Sequence, residues 1–181
     1  MPAFVALLRG VNVGSANRVP MARLRLLLTE MGYRQVTTIL NSGNAVFFAP
    51  NGPSRRLAQA IAKSLAREFN FGVPVVVKSG KELRKIIDEN SLVFAADDHT
   101  RLLVVFAQAP SAFACLAGAA DLVLPTEQFQ LGRHAAYFHC PNGILQSKAG
   151  EALLGKVGKM VTTRNWATVL KLQALTEAIN A

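Results

Sequence analysis

Arginines stand where helices are expected to begin. Arg18 precedes one predicted helix and Arg23 lies in its first turn; Arg55 and Arg56 follow Ser54 at the start of another. Arg164 follows Thr163 at the predicted start of the last, and Lys81 and Lys148 open two more. The amide end of a helix carries positive partial charge, so a cation there costs about 0.3–1 kcal/mol unless an anion compensates. One such residue can snorkel into solvent. Several in one chain suit an anion held jointly by guanidinium groups and amides, where each charge-assisted hydrogen bond contributes ~1.5–3 kcal/mol.

The distribution of charge points to the same class of partner. Residues 1–67 hold nine Lys/Arg and one acid, Glu30, whereas residues 68–130 hold five basic and eight acidic side chains. Residues 131–181 return to six basic and two acidic, and the whole chain has a formal net charge of +9. Such asymmetry fits nucleic acid or a phosphorylated small molecule. The plainer reading is a solvated basic surface, and the stripe Arg56, Lys63, Arg67 is most simply an exposed helix face.

At 181 residues, 51% hydrophobic and 17% charged, the chain can bury a real core and is not disordered. No apolar run approaches the ~20 residues that span a bilayer. "MPAFVALLRG" has no basic residue ahead of its short apolar run, so it reads as a buried strand rather than a secretory signal. Cys115 and Cys140 are too few for a disulfide framework; free thiols in a reducing cytoplasm are expected.

The elements that must position these residues follow from periodicity. "AFVALLRGV" reads as a strand buried on both faces; Met21, Leu24, Leu28 and Met31 recur at helical spacing after Pro20. "QVTTIL" and "NAVFFA" flank an "NSG" turn, Leu57, Ile61, Leu65 and Phe69 mark a helix with Ser54 as N-cap, and "VPVVVKS" is a fourth strand before the helix "GKELRKIIDEN". The second half partly repeats this order, with the strand "RLLVVFAQ", the helix "PSAFACLAGAA", the hairpin "EQFQLGR"/"HAAYFHC" and the helix "KAGEALLGKVGKM". A final helix begins within "VTTRNWATVLKL". The expected fold is α+β: two ferredoxin-like-related β-α-β-β-α units side by side, residues 1–96 and 97–181, with a C-terminal helix.

Two loops are candidate ligand-binding elements. "RGVNVGSANRVP" has Gly10 and Gly14, which permit close backbone approach, and leads into a helix N-terminus. It is neither a Walker loop nor a dinucleotide fingerprint, and Asn12 and Asn17 could equally hold its own backbone. In "NSGN", Ser42 and Asn44 serve a plain hairpin turn or face a pocket. Enzymatic machinery is thin. His134 and His139 fall on opposite faces of a regular strand, "DDHT" is better explained as a polar linker than as metal ligands, and no paired-carboxylate, hydrolase or cofactor motif is present.

Four ordered motifs, "FVALLRGVNVGSANRVPMARLRLLL", "TTILNSGNAVFF", "YFHCPNG…SK" and "TTRNWATVLKL", resemble a widespread bacterial family of uncharacterised proteins, domain-of-unknown-function family 1697. The resemblance covers residues 3 to about 175. It implies two related α+β halves and no established activity, substrate or cofactor. Its identifying positions are polar: Arg9, Asn12, Gly14, Asn17, Pro20, Ser42, Gly43, Asn44, Pro141, Asn142, Ser147, Lys148, Thr163, Arg164, Asn165 and Trp166. The chain departs from the family's pattern at Asn41, where Gln is common, and at Ala167, where a polar residue is common.

These observations combine into one expectation. Thr163 caps the last helix, and Arg164 and Asn165 project from it toward the loop carrying Arg9, Asn12, Asn17 and Arg18, with Trp166 as lid or stacking platform. In the alternative, Arg164 pairs internally and Trp166 is core. Three functions remain open: a cytoplasmic nucleic-acid phosphate binder, an enzyme or sensor for a phosphorylated or nucleotide-like ligand in a cleft between the halves, and a protein scaffold. Anion binding leads, with nucleic-acid phosphate ahead of a nucleotide: scarce acid–base pairs count against an enzyme, and adjacent Phe47 and Phe48, which can present only one ring, count against an RNA-recognition surface of stacked bases.

Overall fold

The computed structural model describes residues 1–156 and 158–178. The described residues form two compact units, one of residues 1–83 with 172–178, the other within residues 84–171. The first begins β1 (Ala3–Leu8), α1 (Met21–Glu30), β2 (Arg34–Ile39), β3 (Asn44–Phe48), α2 (Ser54–Phe69) and β4 (Val75–Ser79), and α3 (Gly80–Glu89) starts in it and ends in the second. The second contains β5 (Leu102–Ala107), a 3-10 segment Pro110–Leu116 continuing as α4 (Ala117–Ala120), β6 (Gln128–Leu131) and β7 (Ala136–His139). It continues with α5 (Lys148–Leu154), β8 (Val161–Asn165) and the start of α6 (Trp166–Ala178), whose residues from Leu172 belong to the first.

Each unit has one four-stranded sheet, of order β2-β3-β1-β4 in the first and β6-β7-β5-β8 in the second, with every neighbouring pair antiparallel. The orders are identical once four is added to each strand number. Both units are therefore β-α-β-β-α-β ferredoxin-like layers; the sequence order implied this for the first and only β-α-β-β-α for the second, whose last strand β8 it read as helix.

The alternation along β1 explains the first core. Phe4, Ala6 and Leu8 join Leu24 and Leu28 of α1 and Ile61 and Leu65 of α2 in one buried cluster. Phe47 stacks against Phe4 and Tyr33, with ring centroids 6.0 and 4.7 Å apart. Each large apolar side chain so buried contributes roughly 1.5–3 kcal/mol. In the second unit Leu103, Val105 and Phe138 meet Phe113, Leu116 and Leu153 in the same way.

The opposite face of the central strands β1 and β5 is also buried, and polar groups lie on that face of each sheet. Asn44 and Lys78 lie there in the first sheet, and Tyr137, Thr162 and Arg164 in the second. Tyr137 and His139 share the face opposite Phe138, as strand alternation requires.

Four local expectations are corrected. The stretch "VTTRN" is strand β8 rather than helix, because its Val-Thr-Thr run pairs with β5 through five register positions. The helix expected over "KAGEALLGKVGKM" stops at Leu154, with Gly155 at its C-cap; Val157 of that stretch lies outside the described residues. Ser54 is the first residue of α2 rather than its N-cap: Pro53 occupies the cap, and the Ser54 hydroxyl donates to Glu82 instead. His134 precedes β7 and sits in the hairpin turn, so strand alternation does not place it.

Candidate functional site

The loop after β1 and the turn between β2 and β3 are built together. Asn12 has φ of 57° and its side chain makes three hydrogen bonds: Oδ1 accepts from Val19 N at 2.9 Å, and Nδ2 donates to Val19 O at 2.8 Å and Asn41 O at 2.7 Å. Asn17 returns the loop on itself, its amide donating to Gly10 O and its carbonyl accepting from Asn12 N. Asn44, fully buried, donates to Ile39 O and Ser42 Oγ. Leu8 N donates to Gly43 O at 2.8 Å. A Cβ on Gly43 would stand 2.6 Å from Leu8 Cβ, and its φ is +82°, so the turn can press onto β1 only with glycine there.

Asn12, Asn17, Ser42 and Asn44 are thus brought into one loop cluster, in the unit that also carries Arg9 and Arg18. The asparagine amides serve backbone carbonyls, the turn-holding alternative of the sequence reading. Arg18 and Ser42 are exposed, and Arg9 is half-buried.

The TTRNW motif lies in the second unit and its roles differ from those expected. Asn165, not Thr163, caps the last helix: its Oδ1 accepts from Thr168 N at 2.9 Å. Thr163 is a β8 residue opposite Val105. Arg164 does not project from a helix end. It is 8% exposed on β8, and its Nη1 donates to Thr162 Oγ1 at 2.9 Å and Thr163 O at 2.7 Å. Burial pushes its guanidinium down to about 10. Trp166 is buried at 4% exposure, the core alternative.

Two structural carboxylates escaped the sequence reading. "SGKE" is a capping box: Ser79 Oγ accepts from Glu82 N, and Glu82 Oε2 accepts from Ser79 N at 2.7 Å. Its spacing alone announces it. Glu89, at the end of α3, fills the β6–β7 turn, accepting from Arg133 N at 2.6 Å and His134 N at 3.0 Å, with the Tyr137 hydroxyl at 2.9 Å. Burial alone would raise the Glu89 pKa; the converging donors outweigh it and hold the carboxyl below its usual range. Burial chiefly, then Glu89 itself, drives the Tyr137 phenol upward. No local spacing announces this contact, because 44 residues separate Glu89 from Arg133.

Among the described residues no group of three His, Cys, Asp or Glu could hold a metal. Burial pushes the Cys140 thiol up to about 11, so it is no activated nucleophile. Asp98 accepts from Thr100 N and Oγ1, a turn-forming role consistent with a linker.

The exposed cations form the other candidate surface. Arg23 is satisfied internally, bound to Glu68 and Glu30 at 2.5 and 3.1 Å. Arg25 on α1 and Arg55, Arg56, Lys63 and Arg67 on α2 are exposed, and neither helix has an acid in its first turn.

Two antiparallel sheets of one strand order, each with helices packed on it, define a duplicated ferredoxin-like α+β protein whose polar motifs build turns and caps. The chain belongs to the family described as protein of unknown function DUF1697, whose model matches residues 1–137. The motifs after residue 137 lie beyond that span. The structure is similar to that of the conserved bacterial protein SP0830 from Streptococcus pneumoniae, with a TM-score of 0.81 and 23% identity over 98% of this chain and 99% of that one. At that identity the likeness shows the fold. No curated protein matches the chain. No helix among the described residues is long and apolar enough to cross a membrane.

Proposed function

We propose that the first unit binds the phosphate backbone of nucleic acid through exposed side chains of α1, α2 and the loop before them. One observation carries this reading: the unit's cations outnumber its acids, and the acids are already engaged. It holds eleven Lys/Arg against four Asp/Glu. Glu30 and Glu68 are bound to Arg23, and Glu82 to Ser54 and Ser79. Arg18, Arg25, Arg55, Arg56, Lys63 and Arg67 are exposed and make no side-chain hydrogen bond or ion pair with described residues.

Recognition of this kind is independent of sequence. Phe47 and Phe48 are buried, so the strands offer no platform on which bases could stack. Phosphate neutralisation supplies the affinity by releasing counterions.

A second reading, an enzyme or sensor for a small phosphorylated or nucleotide-like ligand held by the asparagine loops and Arg164, has less support. Asn12, Asn44 and Arg164 already hydrogen-bond to the chain's own oxygens, and Trp166 is buried.

The test is anisotropy of short labelled single-stranded RNA and DNA at salt from about 50 to 200 mM. Binding should weaken steeply, with log K falling by about 0.7 per log unit of salt for each phosphate contacted. Absence of binding at low salt overturns the proposal. Saturable, salt-insensitive binding of one nucleotide favours the second reading.

A further inference from the structure

We propose that the groove beside β6 receives an extended apolar peptide segment carrying a carboxylate, which adds as a strand to the edge of the second sheet. The groove has a volume of about 720 Å³ and lies wholly within the second unit. Phe113 and Leu116 of the 3-10 segment, Ala117 and Ala120 of α4, and Phe129 and Leu131 of β6 line it. Phe113 and Leu116 are buried beneath it, whereas Leu131 is 59% exposed.

Three observations select this occupant. The first is the edge itself. β6 is the outermost strand of its sheet, and Gly132 N donates to Ala135 O at the hairpin's end. Antiparallel pairs alternate between bonded and non-bonded, so Gln130–Tyr137 is bonded, and Phe129 and Leu131 turn their amides and carbonyls outward. An alkyl ligand would leave those groups unmatched; a peptide backbone matches them.

The second is that this edge, though short, carries none of the other usual guards. Gln128–Leu131 contains no proline, charge or bulge. The equivalent edge strand of the first sheet, β2, has Arg34 and a register break between Arg34 and Thr37. The third is charge. Arg133 is the one charged residue lining the groove, is exposed, and its guanidinium has no partner among the described residues. A second copy of the chain paired through β6 would bring another Arg133 rather than an anion.

Panning the 181-residue chain against displayed random heptapeptides tests the proposal. Selected sequences should alternate apolar residues and carry Asp, Glu or a free C-terminal carboxylate. Arg133→Glu, an exposed substitution, should switch that preference to Lys or Arg. A synthetic selected peptide should slow hydrogen exchange at the Phe129 and Leu131 amides at least tenfold. No consensus, or a footprint away from β6, overturns the proposal. So does saturable binding of decanoate in the groove without any peptide, or concentration-dependent dimerisation abolished by Leu131→Lys.

Discussion

Lys78 and Arg164 stand at the same register position of the two sheets. Lys78 on β4 is opposite Val5 of β1, and Arg164 on β8 is opposite Val104 of β5. The following residue in each case, Ser79 or Asn165, caps the helix that leaves the strand. The duplication visible in element order thus extends to single positions, each placing a buried cation one residue before a helix cap.

The two cations differ in their partners, and that difference predicts opposite mutational effects. Arg164 makes two hydrogen bonds within its own strand, whereas Lys78 is desolvated, which lowers its pKa against the opposing attraction of Glu82. Arg164→Ala should destabilise by about 2–4 kcal/mol through lost packing and orphaned oxygens. Lys78→Met should be neutral or stabilising by about 1 kcal/mol, since a desolvated charge is replaced by apolar volume. Urea denaturation of both variants decides.

Asn12 should be the most sensitive of the loop asparagines. Its removal orphans the N–H and carbonyl of buried Val19 and leaves Asn41 O to solvent, so Asn12→Ala should cost roughly 2–3 kcal/mol. Asn17 makes one longer side-chain bond of 3.3 Å from an exposed position, and Asn17→Ala should cost under about 1 kcal/mol. Thermal melting would expose equal effects as a failure of this account.

Glu89 makes stability depend on pH in a defined direction. Its folded pKa lies below the ordinary value of 4.5, so the folded state favours the carboxylate. Its stabilisation is fully present above 4.5 and is lost as pH falls from there through the lower folded value. Glu89→Gln should remove that part of the acid transition and cost about 1–2 kcal/mol at neutral pH, because an amide meets the Arg133 and His134 N–H groups with one poorer acceptor. Comparing acid unfolding midpoints of the two proteins checks it.

If the helices of the first unit contact phosphates, Arg55→Gln, Arg56→Gln and Arg67→Gln combined should flatten the salt slope by about 2 for single strands. Their exposure predicts stability within about 0.5 kcal/mol of the parent. An unchanged slope would move the interface elsewhere.

Periodicity and composition alone determined much of this protein: the α+β class, the order of the first seven elements, and the hairpin at Asn41–Asn44. Those signals are local, set by alternation in β1 and helical spacing in α1 and α2. The capping box at Ser79 and Glu82 was equally legible from its spacing. Tertiary structure decided the rest. "VTTRN" carries helix-start residues, and pairing with β5 makes it a strand, which moves Arg164 from an expected helix end into a buried face. Arg23 belongs to the basic N-terminal stretch by count, and Glu68, 45 residues away, neutralises it. Glu89 and the hairpin amides meet across a comparable separation. Such partners are fixed by which elements pack together, and no short-range pattern encodes that choice.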